Sequence, residues 1–428
     1  MILDKNGYHF IGIGGIGISA IAQMLLKQGK KVSGSDQARS EITDDLEELG
    51  AQIFIGHKAE NLNDDVEVII YTIAIPDSNP EMQEARKRER EAKSVAESDF
   101  VVASYPEALG ELSKQKYTIA ISGTHGKTTT TAMIGHILRE AGLDPTIIVG
   151  SKMLSNQKEG GSNFYGGTSQ YLVVEACEYR RSFLNLSPKI LVITNIEADH
   201  LDYYKDLDDI KSAFAELKAK VPADGKIITE QEYSEVDIRK DDLLIPGEHN
   251  LKNARAAIKA VEAIGIEAEK AKGYLASFRG TWRRLEYKGT YAWAGEDEIV
   301  VYDDYAHHPS EIRASLSALH EKYPDYKLVA VFEPHQQSRT KLLFDDFVSA
   351  LSIADQVFIA PIYKAREVLD PTISSTILAE EVNKTKPCRA VENVEELKEI
   401  IKEREQKKIC LVLMGAGDIY KWTATILN

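Results

Sequence analysis

With 428 residues, 43% hydrophobic and 28% charged, the chain is long enough for about two to four globular domains, and its composition excludes a disordered, collagen-like or coiled-coil protein. The net charge of −15 opposes broad contact with nucleic acid or anionic lipid, which clustered Lys and Arg would hold, and leaves open a local anion site made of backbone N–H groups. No apolar run reaches the ~18 residues of a membrane span, Cys177, Cys388 and Cys410 form no disulfide framework or zinc spacing, and no basic stretch precedes an apolar one at the start. The expectation is a cytoplasmic protein with no nucleic acid partner and no membrane insertion, a monomer or weak homodimer. Short β-branched runs then alternate with longer amphipathic stretches, the pattern of βαβ units and an α/β fold with parallel sheets. The first strands are predicted at His9–Gly14, Lys31–Gly34, Gln52–Ile55, Val66–Thr72 and Phe100–Ala103. A second series follows at Tyr117–Ser122, Tyr171–Glu175, Ile190–Thr194 and Lys226–Thr229, and a third at Ile299–Tyr302, Lys327–Phe332, Gln356–Ile359 and Lys408–Met414. Helical spacing marks Asp208–Val221, Leu251–Ile264, Pro309–Lys322 and Val394–Glu405. The mixed-sign run Glu84–Glu97 reads as a solvated helix face. Polar, Gly-containing joints near Gly110–Lys116 and Thr281–Gly289 divide the chain into domains 1–113, 114–287 and 288–428.

The residues with chemistry fall where strands end, which is where open parallel sheets bind ligands. Gly12-Ile13-Gly14-Gly15-Ile16-Gly17 follows a strand and opens a helix, so its backbone can approach a diphosphate whose charge meets the helix N-terminus. Asp36 ends the next strand, where a carboxylate usually accepts from a ribose. Alone, this pair reads as a site for NAD or FAD. Gly123-Thr124-His125-Gly126-Lys127-Thr128-Thr129 lies between the next strand and helix. Its amides would cradle phosphates, Lys127 would neutralise β/γ oxygens, and the Thr128 hydroxyl would hold magnesium. It is a variant of the usual phosphate loop, because Ile121 stands where the first glycine belongs.

Glu175 ends another strand and Asp199-His200 follows the next, giving candidate ligands for an oxygen-loving cation; Glu178 and Asp202 read as residues just behind those ligands or at the surface. Asn250 and Asn253 are three apart at a helix start, so both can face one site, though Asn is equally a helix cap. Arg283-Arg284 lies at the second joint, Asp303-Asp304-Tyr305-Ala306-His307-His308-Pro309 ends one strand, and Glu333-Pro334-His335-Gln336-Gln337-Ser338-Arg339 ends another. Two adjacent histidines without spaced partners are a poor zinc site.

Taken together and in order, the chain resembles the Mur ligase family of ATP-dependent ligases that build the peptidoglycan stem peptide. The matching pieces are His-Phe-Ile-Gly-Ile-Gly-Gly-x-Gly from His9, Gly-Thr-His-Gly-Lys-Thr-Thr-Thr-Thr from Gly123, Asp-His-Leu-Asp from Asp199, and His-Asn-x-x-Asn from His249. Arg-Arg-x-Glu from Arg283, Asp-Asp-Tyr-Ala-His-His-Pro from Asp303 and Met-Gly-Ala-Gly-Asp-Ile from Met414 complete the set. The resemblance implies three domains: a Rossmann-like N-terminal one for a UDP-sugar, a central P-loop ATPase with a mostly parallel sheet, and a Rossmann-like C-terminal one. It implies ATP and magnesium (Mg2+) as cofactors and UDP-N-acetylmuramate and L-alanine as substrates. By position, Gly14, Gly15, Gly17, Asp36, His57, Thr72 and Asn79 would meet the UDP-sugar, and Asn250, Arg284 and Asp304 the nucleotide with the phosphate loop. Thr128, Glu175 and His200 would hold the metal, and His307, His335 and Arg339 would serve the amino acid. Lys127, His200, His335 and Arg339 would act in catalysis.

Three departures stand out. The loop that usually reads Glu-Ala-Asp-Glu-Ser-Asp is Glu175-Ala176-Cys177-Glu178-Tyr179-Arg180, the usual Pro-His-Arg-x-x-Arg has Gln336 at its first arginine, and Val101–Pro106 lacks an arginine common there. Gln cannot match a guanidinium on a carboxylate, so amino-acid selectivity is the least determined feature. The reaction expected is transfer of the ATP γ-phosphoryl to the lactyl carboxylate, then attack of the amine on the acyl phosphate, with His335 or His307 as candidate bases. Alternatives are a ligase that adds a recycled tripeptide, an NAD-dependent oxidoreductase resting on Gly12–Gly17 and Asp36, and a nucleotide-switched binding protein.

Overall fold

Strands buried on both faces carry continuous apolar runs, and such runs build the centre of each of three sheets. In the computed structural model, which describes residues 2–93, 99–154, 161–200, 203–292, 298–364, 367, 370–402 and 408–427, the fold is α/β. The first sheet contains β1 (Gly7–Ile11), β2 (Lys31–Asp36), β3 (Gln52–Ile55), β4 (Val68–Tyr71) and β5 (Val101–Ser104), all parallel, in the order β3-β2-β1-β4-β5. Strand order reverses at β1, so the loops after β1 and β4 open together at the carboxyl edge, the usual ligand position.

The second sheet contains β6 (Tyr117–Ser122), β7 (Thr146–Met153), β8 (Ser162–Tyr165), β9 (Tyr171–Glu175), β10 (Ile190–Ile193) and β11 (Lys226–Ile228). Its order is β11-β10-β6-β9-β7-β8, and only β8 runs antiparallel to its neighbour. These two sheets share one compact unit, residues 1–237 and 253–275, and one apolar core that runs from Phe10, Ile21 and Leu25 through Leu109 to Ala120, Leu172 and Phe214.

The other unit, residues 238–252 and 276–428, is built on β12 (Glu286–Tyr291), β13 (Glu298–Asp304), β14 (Lys327–Phe332), β15 (Gln356–Ile359), β16 (Cys388–Ala390) and β17 (Lys408–Met414). The order is β12-β13-β17-β14-β15-β16, parallel except for β12. Its sheet has an apolar layer on each face, one around Phe332 and Phe347, the other around Val331 and Leu411.

Four strands escape the sequence pattern. β12 reads Glu-Tyr-Lys-Gly-Thr-Tyr and pairs on one side only, β7 turns polar at Gly150-Ser151-Lys152, and β8 and β16 are short edges. The stretch Gly110–Lys116 ends the helix Tyr105–Gln115, which starts at a Ser104–Glu107 capping box and leads straight into β6. Gly110 fits there because a Cβ would come within 2.5 Å of the Asn185 carbonyl oxygen. Thr281–Gly289 is a turn followed by β12. The mixed-sign run occupies the helix Pro80–Lys93 as far as Lys93, with Glu84 paired to Arg88 and Glu89 to Lys93, while 94–97 lie outside the described residues.

Candidate active site

The loop between β6 and the helix Lys127–Glu140 is shaped by two left-handed glycines, Gly123 (φ 137°) and Gly126 (φ 83°). A side chain is excluded at both, since a Cβ would come 2.1 Å from Thr194 Oγ1 at Gly123 and 2.4 Å from Asn253 Oδ1 at Gly126. The end of β10 clamps the loop: Asn195 Oδ1 accepts from the His125 amide (2.9 Å), Asn195 Nδ2 donates to the His125 carbonyl (3.0 Å), and the Thr124 amide donates to the Asn195 carbonyl (3.1 Å). The Thr124 hydroxyl accepts from the Glu197 amide at 2.8 Å. Gly126 offers no side-chain cap, so the first amides of the helix, at Lys127, Thr128 and Thr129, face the loop as an anion cradle.

Lys127 folds back onto this cradle. Its Nζ donates to the carbonyls of Gly123 (2.6 Å) and Thr124 (3.0 Å) and to Glu178 Oε1 (3.0 Å). Burial is the largest influence and would lower the ammonium's pKa, but the Glu178, Cys177 and Glu175 charges and the Glu178 hydrogen bond together outweigh it and the value is raised. Glu178 is 3% exposed and its Oε2 has no hydrogen-bond partner. Burial pushes its carboxyl up, and Lys127 and His200 more than reverse that, so Glu178 stays ionised. Of the two places the sequence leaves for Glu178, behind the ligands or at the surface, the surface is excluded: it is buried beside the loop lysine.

His200 Nε2 lies 3.6 Å from Glu178 Oε1 and 3.9 Å from Asp199 Oδ2, and its backbone is left-handed (φ 53°). Burial would lower its pKa, and the Glu178 hydrogen bond with the Asp199 and Glu178 charges raises it above the ordinary value. Thr128 Oγ1 donates to Glu175 Oε2 at 3.0 Å, and the same oxygen accepts from the Gly150 amide at 2.8 Å. Among the described residues, Glu178, Asp199 and His200 form the one group with ligand atoms all within 4.8 Å of one another. An ionised, half-unsatisfied carboxylate and an oxygen-rich surround fit a hard divalent cation. Asp202 and its neighbour Leu201 lie outside the described residues.

In the same unit, the Gly12 and Ile13 amides donate to the Ser35 carbonyl (2.8 and 3.0 Å) and the Gly14 amide to Asp36 Oδ2 (2.9 Å). Gly12 is left-handed (φ 81°), and a Cβ there would meet Thr72 Cγ2 at 2.5 Å. Gly15 leads into the helix Ile16–Lys27 with no side-chain cap, and Gly17 is pressed against Tyr105. His57 Nδ1 sits 2.9 Å from Ser35 Oγ and 3.0 Å from Glu81 Oε2, a fully buried carboxylate, while its Nε2 has no partner. Asn79 caps the helix that starts at Pro80, accepting from the Glu81 amide at 2.9 Å, so its side chain is engaged locally. Asp36 is likewise held at the loop, with its second oxygen on the Gln37 amide at 2.7 Å.

In the second unit, Asp304 is 3% exposed, bonded to Ser315 and to the Ala306 amide, and burial pushes its carboxyl up to about 6. Arg284 lies over the Tyr305 ring at 5.1 Å and 3.5 Å from Glu311, and Asn250 Nδ2 donates to the Pro246 carbonyl at 2.7 Å. His308 caps the helix Pro309–Lys322, so the adjacent histidines do not act as a pair: His307 Nδ1 lies 3.0 Å from the Tyr305 carbonyl. His335 stacks on Tyr363 (5.4 Å, 16°) and stands 6.0 Å from the His307 ring. His335 Nδ1 and Arg339 Nη1 are buried without partners. Burial, with the His307 and Arg339 charges, pulls His335 down to about 4, so it is neutral at pH 7. Gln336 has a left-handed φ of 72°.

Three residues were missed or undervalued from sequence. Glu178 is brought in by the turn Tyr179–Asn185, Asn195 by its place just past β10, and Asn253, not separable from Asn250 by spacing, lies against Gly126. A buried arginine, Arg283 (2% exposed), braces the second unit by donating to the Gly415 carbonyl and to the Gly417 carbonyl at 3.0 Å.

Known proteins align with this arrangement from end to end. Residues 7–117 match the model of the Mur ligase family catalytic domain, 121–241 that of the Mur ligase middle domain, and 283–417 that of the Mur ligase glutamate ligase domain. UDP-N-acetylmuramate–L-alanine ligase of Clostridium botulinum (strain Langeland) is 41% identical, over all of this chain and 99% of the relative. The same-named ligase of Clostridium acetobutylicum is 39% identical over 96% of this chain and 95% of its own. The crystal structure of UDP-N-acetylmuramate-alanine ligase MurC from Thermotoga maritima superposes with a TM-score of 0.80 at 28% identity, covering 98% of each chain. The glycine loops, the lysine–carboxylate pair and these alignments lead to one conclusion: the chain belongs to the Mur ligase family.

Proposed function

We propose that this chain is an ATP-dependent ligase that joins L-alanine to the lactyl carboxylate of UDP-N-acetylmuramate, a cytoplasmic step of peptidoglycan precursor synthesis. The observation that carries the reading is the Lys127 ammonium, drawn onto two loop carbonyls and a buried carboxylate at an otherwise open helix N-terminus. The full-length likeness to ligases named for these substrates supports the substrate pair. The helix Ile16–Lys27 and its glycine loop would take the UDP diphosphate, and Asp36 and His57 the nucleoside side. No helix among the described residues is long and apolar enough to cross a membrane.

A free carboxylate is a poor acyl donor because its oxygen is a poor leaving group. The γ-phosphoryl of ATP therefore passes to the lactyl carboxylate, the amine of L-alanine attacks the acyl carbon, and phosphate leaves. The first step joins two anions, so Lys127 would move from its loop carbonyls onto the β/γ phosphate oxygens and offset their charge. Thr128, Glu175, Glu178 and His200 would hold magnesium, which supplies charge neutralisation on the phosphates when bound. In the second unit, Arg339 Nη1 would take the amino-acid carboxylate, and neutral His335 Nδ1 would accept a hydrogen bond from the incoming amine; a value of about 4 makes His335 too weak a base to hold the ammonium proton itself. Phosphate release measured with ATP, UDP-N-acetylmuramate and each of L-alanine, glycine and L-serine tests the reading. Release that needs all three components and is fastest with L-alanine is expected; release without an amino acid would contradict it.

A further inference from the structure

The segment after Glu178 carries two consecutive left-handed residues that are not glycine, Arg180 (φ 52°, ψ 29°) and Arg181 (φ 56°, ψ 24°). Such backbone persists only where surrounding contacts enforce it. Here they do. The Arg181 amide donates to the Glu178 carbonyl (2.9 Å), which also accepts from Tyr204 Oη (2.5 Å), and the Phe183 amide donates to the Cys177 carbonyl (3.0 Å). The Arg181 guanidinium is fixed by Asp209 (2.7 Å) and Glu216. The two arginines thus diverge, one locked by acids and the other, Arg180, exposed.

Arg180 reaches the first sheet. Its Nη1 donates to the Ile73 carbonyl at 3.3 Å, and the guanidinium lies 5.5 Å from the Tyr179 ring, which itself packs on His200 at 4.8 Å. Ile73 follows Thr72, the residue against Gly12 of the diphosphate-type loop. Arg180 therefore places a cation between that loop's neighbour and the Lys127–Glu178–His200 group. A long bond to a neutral, exposed carbonyl is weak and exchanges readily for a carboxylate, whose charge-assisted bonds to a guanidinium are stronger and bidentate.

We propose that Arg180 reads the lactyl carboxylate of the sugar nucleotide, a specificity-determining contact that leaves Ile73 for the acid as the substrate spans from the glycine loop to the phosphate loop. The inference rests on the sugar-nucleotide reading above. UDP-N-acetylglucosamine shares the nucleotide and sugar but lacks the lactyl acid, so the contact is isolated by titrating both nucleotides calorimetrically into the full chain and its R180A and R180K forms. The wild type is expected to favour the acid by about tenfold or more. R180A should cut that preference to about threefold or less by weakening UDP-N-acetylmuramate alone, with UDP-N-acetylglucosamine held within about twofold as the internal control for folding, and R180K should fall between. An R180A form that keeps the wild-type preference, or loses both nucleotides equally, overturns the proposal. A wild type that binds neither nucleotide removes the sugar-nucleotide reading and the inference with it.

Discussion

Removing the loop lysine should destabilise the fold as well as stop the chemistry, and the structure says by how much. Lys127→Ala leaves the Glu178 carboxylate, whose side chain is 3% exposed, without its partner at 3.0 Å and with Oε2 already unpaired. Breaking a buried pair from one side costs about 3–5 kcal/mol, because an uncompensated charge stays behind. His200 Nε2 at 3.6 Å offsets part of that, which places the loss near the lower limit, about 3 kcal/mol. At roughly 2–4 °C per kcal/mol for a unit of this size, the melting midpoint should fall by about 6–12 °C. The second change, Glu178→Gln, removes the stranded charge, so the double variant should recover to within about 1 kcal/mol of the wild type while remaining inactive. Calorimetric melting of the nucleotide-free chain gives the stability cycle. Phosphate release should drop at least about 100-fold in both lysine variants, and UDP-N-acetylmuramate binding should be largely retained, since Lys127 lies outside the first glycine loop. A double variant no more stable than Lys127→Ala alone would refute the reasoning, because the cost would then not be the buried charge.

Further outcomes follow from the same geometry. Gly126→Ala should weaken binding of a non-hydrolysable ATP analogue by roughly 10–100-fold, from left-handed strain plus the collision with Asn253; Gly142→Ala, equally left-handed (φ 74°) but with open space around it, should leave that binding unchanged. In the chain free of nucleotide and divalent cation, His200 should titrate above its ordinary value, and below it in Glu178→Gln, as followed by NMR. Because the folded value is raised, its stabilisation is full below the unfolded value and is lost as pH rises through the folded one, so the wild-type melting midpoint should fall more than that of Glu178→Gln from about pH 6.5 to 8. Gln336→Arg should lower the KM for L-alanine by roughly tenfold without moving that for UDP-N-acetylmuramate, since it adds a charged donor at the start of the helix that carries Arg339; an unchanged KM would place the carboxylate elsewhere.

What could be read from the amino acids follows how each residue is buried. β6, β9, β14, β15 and β17 coincide with their predicted spans because both faces are covered and the apolar run ends where burial ends. β12 could not be read that way, since an antiparallel edge strand needs no apolar run, and nothing in the sequence around Gly110 shows that it is a point of close packing against Asn185. The phosphate-type loop is legible because Gly, Lys and Thr must stand in that order between strand and helix. Glu178 is not, because its place depends on a left-handed turn at Arg180 and Arg181 that no spacing rule for helices or strands contains. Asn253 and Asn250 share a spacing but only the fold decides which one meets Gly126. The buried Glu81 behind His57 is equally hidden, as its sequence context is that of a charged helix start.

The central claim is that ATP cleavage activates the lactyl carboxylate as an acyl phosphate before the amine arrives. Labelling that carboxylate with oxygen-18 and analysing the released phosphate by mass spectrometry tests it directly. One labelled oxygen should appear in each phosphate formed; phosphate released without label would contradict the account.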